Sequence, residues 1–137
     1  MEKLFDKEFI GSLFSEARKS PRLRQNCDLR NSPDDTSQRM LNALMPNTDV
    51  PIHQHKDTAE TVICLCGKIE EIMYEREENL CADGTKDITY KEVSRHLLCP
   101  AQCSYGMQIP AGIWHSVNVL EPSVIFEAKD GAYIPVK

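Results

Sequence analysis

The chain has 137 residues, 41% of them hydrophobic and 27% charged, with a formal net charge of −5. That length allows one domain with a real core, and that composition excludes large-scale disorder. The acidic balance argues against a nucleic-acid or membrane-surface binder, whose footprint is a basic patch. No apolar run approaches a membrane span. The N-terminal Met1-Glu2-Lys3-Leu4-Phe5-Asp6-Lys7 has acids and no long apolar stretch, so no leader is expected and the expected location is cytoplasmic. The six cysteines, Cys27, Cys64, Cys66, Cys81, Cys99 and Cys103, form no pair of CxxC knuckles and read as free thiols of a reducing compartment. A Cys99–Cys103 bridge or ligand pair is not demanded by anything in the sequence.

Between Glu2 and Lys19, Leu4, Phe5, Ile10, Leu13, Phe14 and Ala17 recur at steps of three and four, the pattern of an amphipathic helix. Ser20-Pro21 ends it, because the residue before proline is pushed out of helical space. Arg22-Leu23-Arg24-Gln25-Asn26 follows; if extended, it shows Arg22 and Arg24 on one face. They are either a solvated edge or a bidentate grip for carboxylate or phosphate, and Asn26 and Arg39 join them as candidate ligand-binding residues.

Helical periodicity then stops. Arg39–Met45 is strand-like. Thr61–Cys66, closed by Gly67, is a continuous β-prone run that reads as a strand buried on both faces. Lys68–Arg76 alternates as a half-buried strand, with loops expected at Glu77-Glu78-Asn79 and Ala82-Asp83-Gly84. Separate short strands are expected at Ile88–Val93, Tyr105–Ile109, His115–Leu120 and Val124–Ala128. Many short strands after one helix indicate an antiparallel sandwich or barrel.

Within this pattern, Pro51-Ile52-His53-Gln54-His55 places two imidazoles on one face of an extended segment, with Glu60 five residues on. Neutral imidazoles and a carboxylate suit a divalent transition metal, and His115 is the fourth candidate ligand. Zinc, iron, manganese, nickel or cobalt would all accept this set. Trp114 either walls the pocket or fills core. Glu127 and Lys129 share a face of the last strand, where an exposed ion pair is expected; an inward Glu127 would be a candidate catalytic acid or base. His96 lies outside the pattern and is expected at the surface.

His53-x-His55-x4-Glu60-x6-Gly67 and Pro110-x-Gly112-x2-His115 resemble the two cupin motifs. Asn47 stands where the first motif opens with glycine, and Asn118 falls one residue off the asparagine that closes the second. The long interval between them suggests an enlarged hairpin through Cys81–Cys99. The resemblance implies a mainly β, single-domain cupin (double-stranded β-helix, or jelly roll) with an N-terminal α-helix. Residues 1–30 would be the helix and a basic extended arm packed on a barrel of residues 31–137. Ser20–Asn26, Gln38–Ala43, Ile109–His115 and Gly131-Ala132-Tyr133-Ile134-Pro135 also resemble the WbuC family of small cupin metalloproteins. That likeness implies a link to bacterial surface polysaccharide synthesis, and the cupin resemblance implies a homodimer. The expected ligand is a small acidic or carbohydrate-derived molecule. Sugar or sugar-phosphate isomerase or lyase chemistry is the reading, with an Fe(II) dioxygenase or a non-catalytic binding or regulatory module as alternatives.

Overall fold

A computed structural model describes residues 2–131. The segment Ala132–Pro135 that entered the WbuC resemblance lies outside the described residues.

The helix α1 spans Lys7–Lys19 and begins later than its apolar pattern suggests. Asp6 caps it, its side chain accepting a hydrogen bond from the Phe9 N–H at 2.9 Å. Leu4 and Phe5 therefore precede the helix and stay exposed. Leu13 and Ala17 are the buried face, packed with Leu41, Ala43 and Val124 on the outside of the sheet.

Six strands follow: β1 Arg24–Asp28, β2 Ser37–Leu44, β3 Glu60–Leu80, β4 Lys86–Leu98, β5 Gly106–Ile109 and β6 Trp114–Asp130. All pair antiparallel in the order β1-β2-β6-β3-β4, with β5 on the free side of β3 near its start. The basic arm expected within residues 1–30 is β1, paired with β2 from Arg24↔Leu44 to Asp28↔Met40.

Two long strands organise the sheet. The first half of β3 pairs with the end of β6 (Val62↔Glu127, Cys64↔Ile125), and its second half with the beginning (Glu71↔Val117, Met73↔His115). The register slips between Cys64 and Ile69, where both strands bend. Gly67 sits there at φ 93°, and a Cβ on it would collide with Ser123 Oγ and the Pro122 carbonyl oxygen. Only glycine fits this bend. Side chains from both halves of β3 and β6 line one cavity, so the sheet curls around it.

Three sequence expectations fail for identifiable reasons. His115–Leu120 and Val124–Ala128 are one bent strand, because Pro122 bends β6 without ending it. Glu77-Glu78-Asn79 is strand, not loop: β3 and β4 continue as a two-stranded ribbon, paired out to Leu80↔Lys86 and solvated on both faces, where charge costs nothing. Thr61–Cys66 is buried on one face only, with Leu65 at 41% exposure. The enlarged hairpin expected between the motifs is this β3–β4 unit.

The interior of the barrel holds Leu44, Val62, Cys64, Ile69, Met73, Leu98, Ile109, Val119 and Ile125. Burying such side chains contributes about 1.5–3 kcal/mol each. Cys64 and Cys99 belong to this buried set, and all six cysteines are free thiols. Burial pushes the Cys64 thiol up to about 11.

Candidate metal centre

The four candidate ligands come from three places in the chain. His53 and His55 lie in the extended segment before β3, Glu60 opens β3, and His115 is the second residue of β6. The His53-x-His55 segment is not a regular strand. It is held by a bridge in which the His53 N–H donates to the His115 carbonyl at 3.0 Å and the His115 N–H returns to His53 at 2.8 Å. The Gly112 N–H adds a bond to the His55 carbonyl at 2.7 Å, from a turn that Gly112 closes at φ 82°. The two motifs are thus joined by main chain, and all four ligand atoms lie within 4.8 Å of one another.

Donor chemistry in this cluster fits a divalent metal. His53 Nδ1 is 2.8 Å from the Pro51 carbonyl oxygen, and His115 Nδ1 is 2.9 Å from that of Ile113. A carbonyl can only accept, so each Nδ1 carries a proton and Nε2 is the atom left to face an ion. Glu60 Oε2 lies 2.9 Å from His55 Nε2 and 3.5 Å from His115 Nε2. It is buried yet has no well-aligned hydrogen bond, as expected of an atom placed to share a cation.

Electrostatics separate the two rings in the metal-free protein, where His115 favours a proton that an ion at Nε2 would displace. Desolvation, helped by the neighbouring His115, holds His53 below the usual imidazole range and so neutral. Burial pulls His115 down too, but the hydrogen bond to Glu60, the Ile113 carbonyl and nearby carboxylates outweigh it and raise the group. For Glu60, burial acts to raise the carboxyl, and the close approach of His115, His55 and Glu127 outweighs it, holding Glu60 low and ionised.

The centre sits at the wall of a cavity of about 920 Å³. Of the residues singled out in the sequence, Arg22, Arg24, Asn26 and Glu127 also line it. Arg39 does not. The inward face of β2 carries Gln38, Met40 and Asn42, so Arg39 points the other way and pairs with Asp35 at 3.2 Å. The main-chain N–H groups of Asn31 and Ser37, and after them that pairing, hold the Asp35 carboxyl at about 2. Trp114 is also off the cavity; it is half-buried and packs against Tyr90 of the ribbon at 5.3 Å. His96 is exposed.

Glu127 is not half of an exposed ion pair. It faces inward, hydrogen-bonded to Glu60, with Asn42 Nδ2 at 3.4 Å from Oε1. Burial, then the hydrogen bond and charge of Glu60, raise it far above the ordinary carboxylate range, so Glu127 is a neutral acid that donates to Glu60. Lys129, the supposed partner, reaches the Gly131 carbonyl at 3.1 Å.

Glu71 was missed. It is 1% exposed, lines the cavity, and burial pushes its carboxyl up to about 8. Its signal was its phase: Glu71 alternates with Ile69 and Met73, the buried positions of β3.

No curated protein matches this sequence. Several solved structures share the fold. The cupin domain of Schizosaccharomyces pombe Cnp3 aligns at TM-score 0.50 and 13% identity, covering 80% of this chain and 65% of that one. KdgF from Halomonas sp. aligns at 0.50 and 16%, covering 83% of each chain. The Escherichia coli ribosomal oxygenase YcfD, solved with cobalt and succinic acid, aligns at 0.53 and 16%, covering 93% of this chain but 29% of YcfD. The chain therefore spans 65% of the Cnp3 domain and less than a third of YcfD. Such similarity establishes a cupin fold. The matching family model is not that of WbuC; it spans residues 5–84, which include three of the four candidate ligands. With a cupin fold and a His53–His55–Glu60–His115 centre, the chain belongs to the family described as a domain of unknown function, DUF6016.

Proposed function

We propose that this cupin is a divalent-metal-dependent enzyme that moves a proton on a small, carbohydrate-derived carbonyl substrate, as an isomerase or lyase. The observation that carries the reading is Glu127, a carboxyl that lines the same cavity as the four ligands, with Asn42 Nδ2 at 3.4 Å from Oε1. A structural metal has no use for such a neighbour, whereas acid–base catalysis does.

His53, His55, Glu60 and His115 would hold the ion, which when bound supplies a Lewis acid that polarises a substrate oxygen. The chain's own residues supply the rest. Glu127 holds a proton within the cavity and can give it to a substrate oxygen; the carboxylate so formed is a base that can take a proton from the adjacent carbon. Glu71 adds a second buried carboxyl to the cavity lining, neutral in the metal-free protein. Residues of β1 and β2 line the same cavity. The motif likeness to WbuC supports surface polysaccharide synthesis as the setting, and the cupin resemblance supports a homodimer as the assembly.

The test is metal-loaded protein, prepared separately with zinc, manganese, nickel, cobalt and iron. Hydrogen–deuterium exchange at the carbon next to the carbonyl is followed by NMR across a panel of ketoses and keto sugar acids. Exchange is expected with at least one metal, and Glu127→Gln should lower it by about 10²–10⁴-fold while keeping one metal per chain. Binding without exchange would favour a non-catalytic module. Oxygen uptake by the iron form alone would favour a dioxygenase.

A further inference from the structure

The seven arginines of the chain divide sharply. Arg30 is held by Asp28 through contacts of 3.0–3.2 Å, Arg39 by Asp35, Arg76 by Glu78, and Arg95 by Glu92 and Glu70. Arg18 lies over the Phe14 ring at 5.7 Å. Among the described residues, the guanidinium groups of Arg22 and Arg24 alone have no hydrogen bond, ion pair or ring contact, and both line the cavity. Their placement comes from the fold. Arg24 opposes Leu44 at the end of β1, on the inward face, and Leu23 takes a left-handed conformation at φ 57° where the chain turns into that strand.

Deeper in, the cavity has the opposite need. Gln38 Oε1, Asn42 Oδ1 and Glu71 Oε2 are buried oxygens without a hydrogen-bond partner, and all three residues line the cavity. Gln38 and Glu71 are 5% and 1% exposed. The two amide oxygens can only accept and the Glu71 carboxyl can accept or donate, and leaving a buried polar atom unpaired is costly. One end of the cavity therefore presents cations without an anion, and its interior presents amide and carboxyl oxygens without a partner.

We infer that the cavity takes a two-ended ligand in one orientation: a polyhydroxylated acid whose hydroxyls enter toward Gln38, Asn42 and Glu71 while its carboxylate or phosphate is held by Arg22 and Arg24. This deepens, and rests on, the reading of the metal centre as an enzyme site for a carbohydrate-derived substrate. Guanidinium groups hold either anion bidentately, and the hydroxyl requirement distinguishes the ligand from a plain acid, because a donorless chain would leave the interior acceptors dry.

The experiment is calorimetric titration of the zinc-loaded full chain with four probes: gluconate, ribose 5-phosphate, ribose and hexanoate. Metal content is measured on every sample. Gluconate or ribose 5-phosphate should bind at least about tenfold tighter than ribose and hexanoate, and which of the two leads identifies the anion. Arg22→Gln/Arg24→Gln should remove that margin while retaining one zinc. Equal affinity for ribose and the acids, an undiminished margin in the double variant, or no binding by any probe to the zinc-loaded chain overturns the inference and leaves the metal centre standing. A wild-type chain that takes up no zinc, manganese, nickel, cobalt or iron instead overturns the enzyme reading, and this inference with it.

Discussion

Replacing Glu71 with glutamine keeps the size and polarity of the side chain and removes its charge. In the metal-free protein the folded-state value is about 8 against an ordinary 4.5. Below pH 4.5 both folded and unfolded chains carry the proton, and the residue is neutral with respect to stability. Between 4.5 and 8 the unfolded chain releases the proton and the folded chain keeps it, so stability falls as pH rises, by about 1.4 kcal/mol per unit. From pH 5 to pH 8 the loss is on the order of 4 kcal/mol, a large share of the 5–15 kcal/mol typical of a domain. The assay is urea unfolding of metal-free wild type and Glu71→Gln at both pH values. Glu127, which burial also raises, adds slope of the same sign. Glu60, held low, contributes stability that is present above pH 4.5 and lost as pH falls. The wild-type-minus-variant difference cancels both to first order, so the variant should gain about 4 kcal/mol relative to wild type between pH 5 and pH 8. A bound divalent cation would lower the Glu71 value and flatten the wild-type slope. A difference that stays within about 1 kcal/mol across that range would show that Glu71 ionises normally in the fold and refute the argument.

Other outcomes are as definite. His53→Ala/His115→Ala should lose stoichiometric metal by elemental analysis, since each ring leaves Nε2 to face an ion; full retention would displace the site. Gly67→Ala should cost at least about 2 kcal/mol in urea unfolding, from the left-handed backbone and the collision with Ser123 and Pro122. Gly84→Ala, also left-handed but with open space around it, is the control for the collision and should cost less. Arg39→Ala removes an ion pair outside the cavity, so it should cost no more than about 1 kcal/mol and leave ligand affinity unchanged; a tenfold loss of affinity would put Arg39 back in the pocket.

The ligand set could be read from sequence because metal chemistry restricts residue type and spacing together. His53, His55 and Glu60 keep one register, and Pro110-x-Gly112-x2-His115 builds a turn before a ligand. Glu71 and Glu127 were harder because a charged residue in a strand is ordinarily exposed, and only strand phase distinguishes Glu71 from the solvated Glu70 beside it. Arg39 was misplaced for the same reason: its partners in phase could not be assigned until β2 was aligned with β6. Glu77-Glu78-Asn79 was taken for loop because its acids read as a break, although a strand solvated on both faces needs no apolar residues at all.

The hydrogen bonds that Pro51 and Ile113 carbonyls accept from two imidazoles have a thermodynamic consequence. The rings are oriented by their own chain, two residues upstream in each case, so loading the centre requires no ordering of the backbone. Metal then acts on this protein by mass action on an already folded state. The unfolding temperature should climb with the logarithm of free metal concentration, without the all-or-none collapse that chelators cause in small domains whose fold depends on their zinc.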